Sequence, residues 1–243
     1  MDEVVERDGG EIDGQPRVDA GMPPDASCGM TGTLRTVLLG ARMNGTGQAS
    51  MIDTFLVDIK SGQNFGGAPM IGLCAACNAS GYPWDMGNAV GLLRFELSAI
   101  CPGSTITGAT LFIDTNDDNL GSGTVGVYVV RQAWDEGDGS AAGNLGVANW
   151  NQRQPGVNWN NPGAGSPQSR DGTPFMVFAP TSTDQEYQLS VPIVVVQDWL
   201  NKPATNFGLA LAIVNGSSDV EFHSRESPEV ARRPGLSVSF TLP

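Results

Sequence analysis

Apolar and polar residues alternate along much of the chain with a period of two, the pattern of a half-buried strand, because successive side chains on a strand point to opposite faces. The final segment is the plainest case. Leu236, Val238, Phe240 and Leu242 fall on one face, and Ser237, Ser239 and Thr241 on the other. Short apolar runs with turn signals between them recur from Leu34 onward, at 34–39, 52–57, 70–74, 89–97, 107–114, 125–132, 175–179, 187–191, 207–214, 220–224 and 236–242. About eleven strands at this spacing predict an all-β sandwich or barrel. One run departs from the pattern. Pro192 precedes Ile193, Val196 and Leu200 at helical spacing, which predicts a short helix over 192–201 ending at Asn201-Lys202-Pro203, with a strand as the competitor because of its β-branched content. Residues 134–173 show Gly, Asn, Pro and Trp clusters and little periodicity; so long a loop in a compact domain is functional or flexible.

Residues 1–27 hold eight of the chain's 26 acidic residues and almost no large apolar side chains. Such a segment buries too little apolar surface to offset its ordering entropy, so an acidic, extended or disordered linker is expected over 1–29, ahead of a single domain at 30–243. It acts as a spacer or as a strand added to another subunit. Met1-Asp2-Glu3 lacks the basic and then apolar start of a signal peptide, so the chain reads as a mature or trimmed form.

Composition narrows the partners. The formal charge is −13, and Lys60 and Lys202 are the lysines. Such a surface repels a phosphate backbone, which excludes nucleic acid. No apolar run approaches the roughly 20 residues of a spanning helix, which excludes a membrane span. Divalent cations and neutral solutes remain. Four cysteines, Cys28, Cys74, Cys77 and Cys101, accompany one histidine, His223. A zinc site wants a second ligand pair close to Cys74-Ala-Ala-Cys77, and a redox centre wants a βαβ context. Two disulfides are therefore expected, Cys74 with Cys77 and Cys28 with Cys101, with reduced or metal-bound thiols as the alternatives. Disulfides place the protein in a secreted or cell-surface setting.

A series of short landmarks follows in order: Asp53-Thr54, Asn64-Phe65-Gly66-Gly67, Leu93-Arg94-Phe95-Glu96-Leu97-Ser98, Ile106-Thr107-Gly108-Ala109-Thr110-Leu111, Val127-Tyr128-Val129 leading to Trp134-Asp135-Glu136, and Trp150-Asn151. Then come Val195-Val196-Gln197-Asp198-Trp199, Asn206-Phe207-Gly208-Leu209, Phe222-His223-Ser224-Arg225-Glu226 and Arg233-Pro234-Gly235-Leu236. Spanning residues 50–242, this series resembles the DNRLRE or disaggregatase-related family of surface proteins, part of which is classed as a carbohydrate-binding module for alginate-type polysaccharides. The resemblance implies a jelly-roll-like antiparallel β-sandwich and a non-catalytic role. The chain departs from the family in its 74–85 loop and its 138–172 insertion, both near where ligand contacts are expected.

Two constellations could carry chemistry. Asp114-Thr115-Asn116-Asp117-Asp118-Asn119 sets oxygen ligands two residues apart at an expected turn, so Asp114, Asn116, Asp117 and Asp118 are candidate calcium ligands. Val125 stands where an EF-hand would close with Glu, which excludes a complete EF-hand loop. Asp135, Glu136 and Asp138 form a second acidic cluster. A sugar site asks for an aromatic platform ringed by amides and Arg. Tyr82, Trp84, Trp150, Arg153, Trp159 and Asn161 fit that description in predicted loops, whereas Trp134 and Trp199 read as core and Arg94 as a paired structural arginine. His223 reads as facing solvent or a polar pocket, and no nucleophile-elbow motif occurs. The leading expectation is a calcium-supported module that binds polysaccharide or cell-surface glycan. A self-assembling structural surface or filament subunit comes second, and a polysaccharide-degrading enzyme third.

Overall fold

The computed structural model describes Cys28 and residues 31–42, 50–77, 87–120, 123–139, 147–215 and 219–243, with 117–120 as backbone only. The linker expected over 1–29, Cys28 apart, lies outside these residues, as do Tyr82 and Trp84. The strands are β1 (Leu34–Gly40), β2 (Met51–Val57), β3 (Met70–Cys77), β4 (Gly87–Phe95), β5 (Thr105–Leu120), β6 (Thr124–Val129), β7 (Gln152–Gln154), β8 (Val157–Asn158), β9 (Met176–Phe178), β10 (Glu186–Ser190), β11 (Leu209–Asn215), β12 (Asp219–His223) and β13 (Gly235–Thr241). One helix, α1, spans Ile193–Asn201. Each apolar run predicted as a strand forms one. The ambiguous run is helical because Pro192 ends β-pairing ahead of it while Val196 and Trp199 bury against the sandwich, and that burial overrides the β-branched preference.

The strands form an antiparallel sandwich. The smaller sheet has the order β1-β13-β5-β10. The larger runs β12-β3-β4-β11-β6-β9, with β2 also pairing β4. Strand β5 belongs to both: residues up to Asp114 pair β13 and β10, and Thr115 and Leu120 pair β12. The inner faces share one core, in which Leu111, Val238 and Phe240 of the smaller sheet join Phe55, Leu73, Leu93, Leu211 and Phe222 of the larger.

The larger sheet is apolar on its other face too. Leu56, Val90, Leu92, Tyr128, Ala210 and Ala212 point away from the inner core and form a second cluster with Trp134, Ala148, Trp159 and Ala164. Strands buried on both faces read as near-continuous apolar runs, as Leu209-Ala-Leu-Ala does. Described residues of the segment that looked like a loop, 134–139 and 147–172, form the cover of this face.

Disulfides join Cys28 to Cys101 and Cys74 to Cys77. The first ties the chain ahead of β1 to the turn ahead of β5. The second closes a bulge: Cys74 faces Ala89 and Cys77 faces Gly87, so four residues of β3 oppose three of β4, with Ala76 between at φ 54°. Among the described residues no helix is long and apolar enough to cross a membrane.

Candidate functional site

The tryptophans expected to form a sugar platform are built into the cover. Trp159 is 4% exposed, and its Nε1 donates to the Asn149 carbonyl at 2.9 Å. It is a core residue and presents no ring face to solvent, which corrects the platform expectation. Trp150 is half-buried, with its ring against Gly163, where an added Cβ would come within 2.5 Å of the ring and where φ is +66°. A larger residue would clash and be strained at once. Arg153 Nη1 donates to the Ala133 carbonyl and to Gln154 Oε1, at 2.8 and 2.7 Å. Asn161 Nδ2 donates to the Ser166 carbonyl at 2.7 Å. The polar atoms that would ring a sugar instead fix the turns of the cover. Trp134 and Trp199 are buried, and Arg94 lies over the Trp134 ring and pairs with Glu96.

The expected calcium turn is also different. Residues 114–119 lie within β5, not in a turn, and Asp114 and Asn116 each have a partner of their own there. Asp114 is buried in an ion pair with Arg42, and Asn116 Nδ2 donates to Glu221 Oε2 at 2.8 Å. The Asp117 and Asp118 side chains lie outside the described residues.

Carboxylates do converge elsewhere. Asp53, Glu136 and Glu226, from β2 and from the segments after β6 and β12, each bring an oxygen within 4.8 Å of the others. Placement of Glu136 follows from Asn64-Phe65-Gly66-Gly67. Asn64 is wholly buried; its Nδ2 donates to the Glu136 and Ala148 carbonyls at 2.6 and 2.7 Å, and its Oδ1 accepts from the Gly66 and Gly139 N–H groups. At Gly66 a Cβ would lie 2.5 Å from the Glu136 carbonyl oxygen, so glycine lets the two backbones touch. Glu136 Oε1 then accepts the Asp53 N–H at 2.7 Å. Arg225 completes the group: its N–H donates to Asp53 Oδ2 at 2.7 Å, its Nη1 to the Met51 carbonyl at 3.0 Å, and its Nε lies 2.9 Å from Glu136 and 2.6 Å from Glu226.

The Arg225 guanidinium pairs with Glu136 and Glu226, while Asp53, only 1% exposed, takes the Arg225 backbone N–H. Burial, reinforced by the Glu226 charge, holds the Asp53 carboxyl well above the usual range. Burial also pushes Glu136 up to about 7, against the Asp53 N–H and Arg225, and raises Glu226. Chemically the group is suited to retain a proton, or a hard cation in its place.

A second group joins Asp184, His223 and Glu229 within the same span. Arg232 pairs with both carboxylates, and buried His223 Nδ1 lies 2.8 Å from Ser227 Oγ. The histidine is thus in a polar pocket.

Sequence reasoning missed Asp53, Arg225 and Glu226 because they lie far apart along the chain. One signal was available: Asp53 is the one charged residue in the largely apolar β2. No family model matches the chain, and no curated protein matches it.

Proposed function

We propose that this domain is a non-catalytic structural module of an extracellular surface, working by contact through a rigid preformed shell. The observation that carries this reading is the second apolar cluster. The Trp-, Asn- and Gly-rich segment with the composition of a ligand loop is instead spent on covering the larger sheet, with Trp134 and Trp159 buried. Two disulfides favour a setting outside the reducing cytoplasm. Retention of the purified protein on a panel of insoluble and gelled polysaccharides, with and without chelator, tests this reading. We expect no retention in either arm; calcium-dependent retention would restore a calcium-supported glycan-binding module.

One observation favours polysaccharide recognition as a second reading. Both roots of the 78–86 segment are clamped, by Cys74–Cys77 on one side and on the other by Asp58, whose carboxylate accepts from the Asn88 N–H and side-chain amide at 2.9 and 2.6 Å. That segment carries Tyr82 and Trp84. Retention lost in Trp84→Ala would select this reading.

A further inference from the structure

Each sheet of a sandwich ends in edges whose unpaired backbone groups invite another strand, and folded domains guard such edges with brevity, charge, bulges or cover. Most edges here are guarded. Strand β9 is three residues long. On β2 the Asp53 N–H and the Met51 carbonyl are taken by Glu136 and Arg225. Strand β10 carries Glu186 in an ion pair with Arg42.

Strand β1 is different. It runs seven residues in unbroken register with β13, without proline, bulge or acidic residue, in a chain of net charge −13. The bonds from the Ala41 N–H to the Pro234 carbonyl and from the Leu242 N–H to the Thr33 carbonyl fix the alternation. Odd-numbered residues bond β13, so Leu34, Thr36, Leu38 and Gly40 aim their N–H and C=O groups outward. The Gly40 N–H donates to Ser50 Oγ at 2.9 Å. Among the described residues, no donor or acceptor meets the backbone of the other three. Leu34 is 65% exposed beside them.

We propose that β1 is a self-pairing edge, joined antiparallel to β1 of a second copy about a two-fold axis at Thr36. This register uses all three open residues. Thr36 faces Thr36 of the second copy, and Leu34 faces Leu38 in both directions, giving about six backbone hydrogen bonds. The exposed Leu34 gains an apolar cross-strand neighbour, and Thr faces Thr beside Ser239, whose hydroxyl already bonds Thr36 Oγ1 at 2.9 Å. The strand carries no acidic residue, so this register sets no carboxylate of β1 opposite another. A contact of seven-residue strands falls below the roughly 1,000 Å² of a stable interface, so pairing is concentration-dependent and strengthens when copies are held close on a surface. The proposal deepens the structural-module reading. A chain that stays monomeric refutes the pairing alone, because the polysaccharide panel tests that reading separately.

The test is sedimentation of the full chain over a concentration series. Thr36→Pro removes an outward N–H that β13 does not use, so the fold tolerates it and the edge does not. We expect association weakened at least about tenfold with the melting temperature retained. Thr36→Cys is expected to give a disulfide-linked dimer, since Cα atoms of such a pair lie about 5.5 Å apart, within disulfide reach. Gln188→Cys on β10 should give none. Should Thr36→Pro not fold, Leu34→Lys makes the same comparison at an exposed side chain. A chain monomeric throughout, or association untouched by these substitutions, overturns the proposal. Loss of association in Thr36→Pro without a Thr36→Cys dimer also overturns it, and assigns the edge to another extended segment.

Discussion

The two faces of the larger sheet are buried by different means. The inner face is closed by a second sheet, and branched and aromatic side chains from the two sheets form one apolar core. The outer face is closed by a segment with little regular structure, and its contacts are small or flat: Ala210, Ala212, Ala148 and Ala164 let the cover approach, and Trp134 and Trp159 of the cover lie buried against the sheet. An irregular backbone brings many N–H and C=O groups with it, and buried ones must be satisfied one by one. Asn64, Asn149 and Asn161 do that on the outer side, while on the inner side the strand ladders do it. One face is therefore held chiefly by apolar burial, and the other by burial together with specific polar ties.

This difference is breakable. The largest effect is expected from Phe240→Ala, which empties an inner-core site 4% exposed and should cost about 3–5 kcal/mol. Urea unfolding should show the loss as a lower midpoint in one transition, with inner and outer amides losing hydrogen-exchange protection together. Protection falling only in residues 134–172 would contradict a dominant inner core.

Asn64→Ala comes next and should separate the two faces. It deprives two carbonyls and two N–H groups of their partner in a buried place, at about 1–3 kcal/mol for each group that water cannot reach. The expected total is about 3 kcal/mol, since these losses do not simply add. Exchange protection should drop first in residues 134–172 while β5 and β13 stay protected. A uniform drop would mean that the cover and the inner core unfold as one unit.

The same contrast explains what could be read from the sequence. The strands and the all-β class were legible because alternation is local: residues two apart settle which side chains share a face. The helix over 193–201 was legible in position, though its β-branched run needed burial of Val196 and Trp199 to decide its type. The cover was illegible. Its residues have no period, and Asn, Gly and Trp among turns are as suited to a ligand as to capping a sheet. The available clue lay in β4, β6 and β11, which are apolar at both parities and so call for something on each face. The acidic run misled for a similar reason. Asp114 and Asn116 look like ligands in a turn, and only the partners Arg42 and Glu221, far away in sequence, make a strand the better place for them. The carboxylate group needed three distant segments, and no local pattern marks such a meeting.

The smallest effect concerns pH, and it probes the polar ties directly. The Asp53, Glu136 and Glu226 carboxyls are all held above their ordinary values in the folded chain, with Glu136 at about 7. Raised carboxyls mean that the folded state binds more protons than the unfolded chain in the interval between the ordinary carboxyl range near 4 and about 7. This contribution to stability is fully present below that interval and is lost as pH rises through it. The urea midpoint should therefore fall between pH 5 and pH 8. Glu226→Gln removes one of the three like charges while keeping the shape, at the loss of one Arg225 contact. The midpoint change between the two pH values should shrink in this variant, with a net effect at pH 8 of less than about 1 kcal/mol. Glu96→Gln, at an exposed carboxylate paired with Arg94, should leave the change as it was. Equal pH dependence in parent and Glu226→Gln would mean that these acids do not share a proton. The tie between β2 and the cover would then rest on Arg225 and the Asp53 N–H alone.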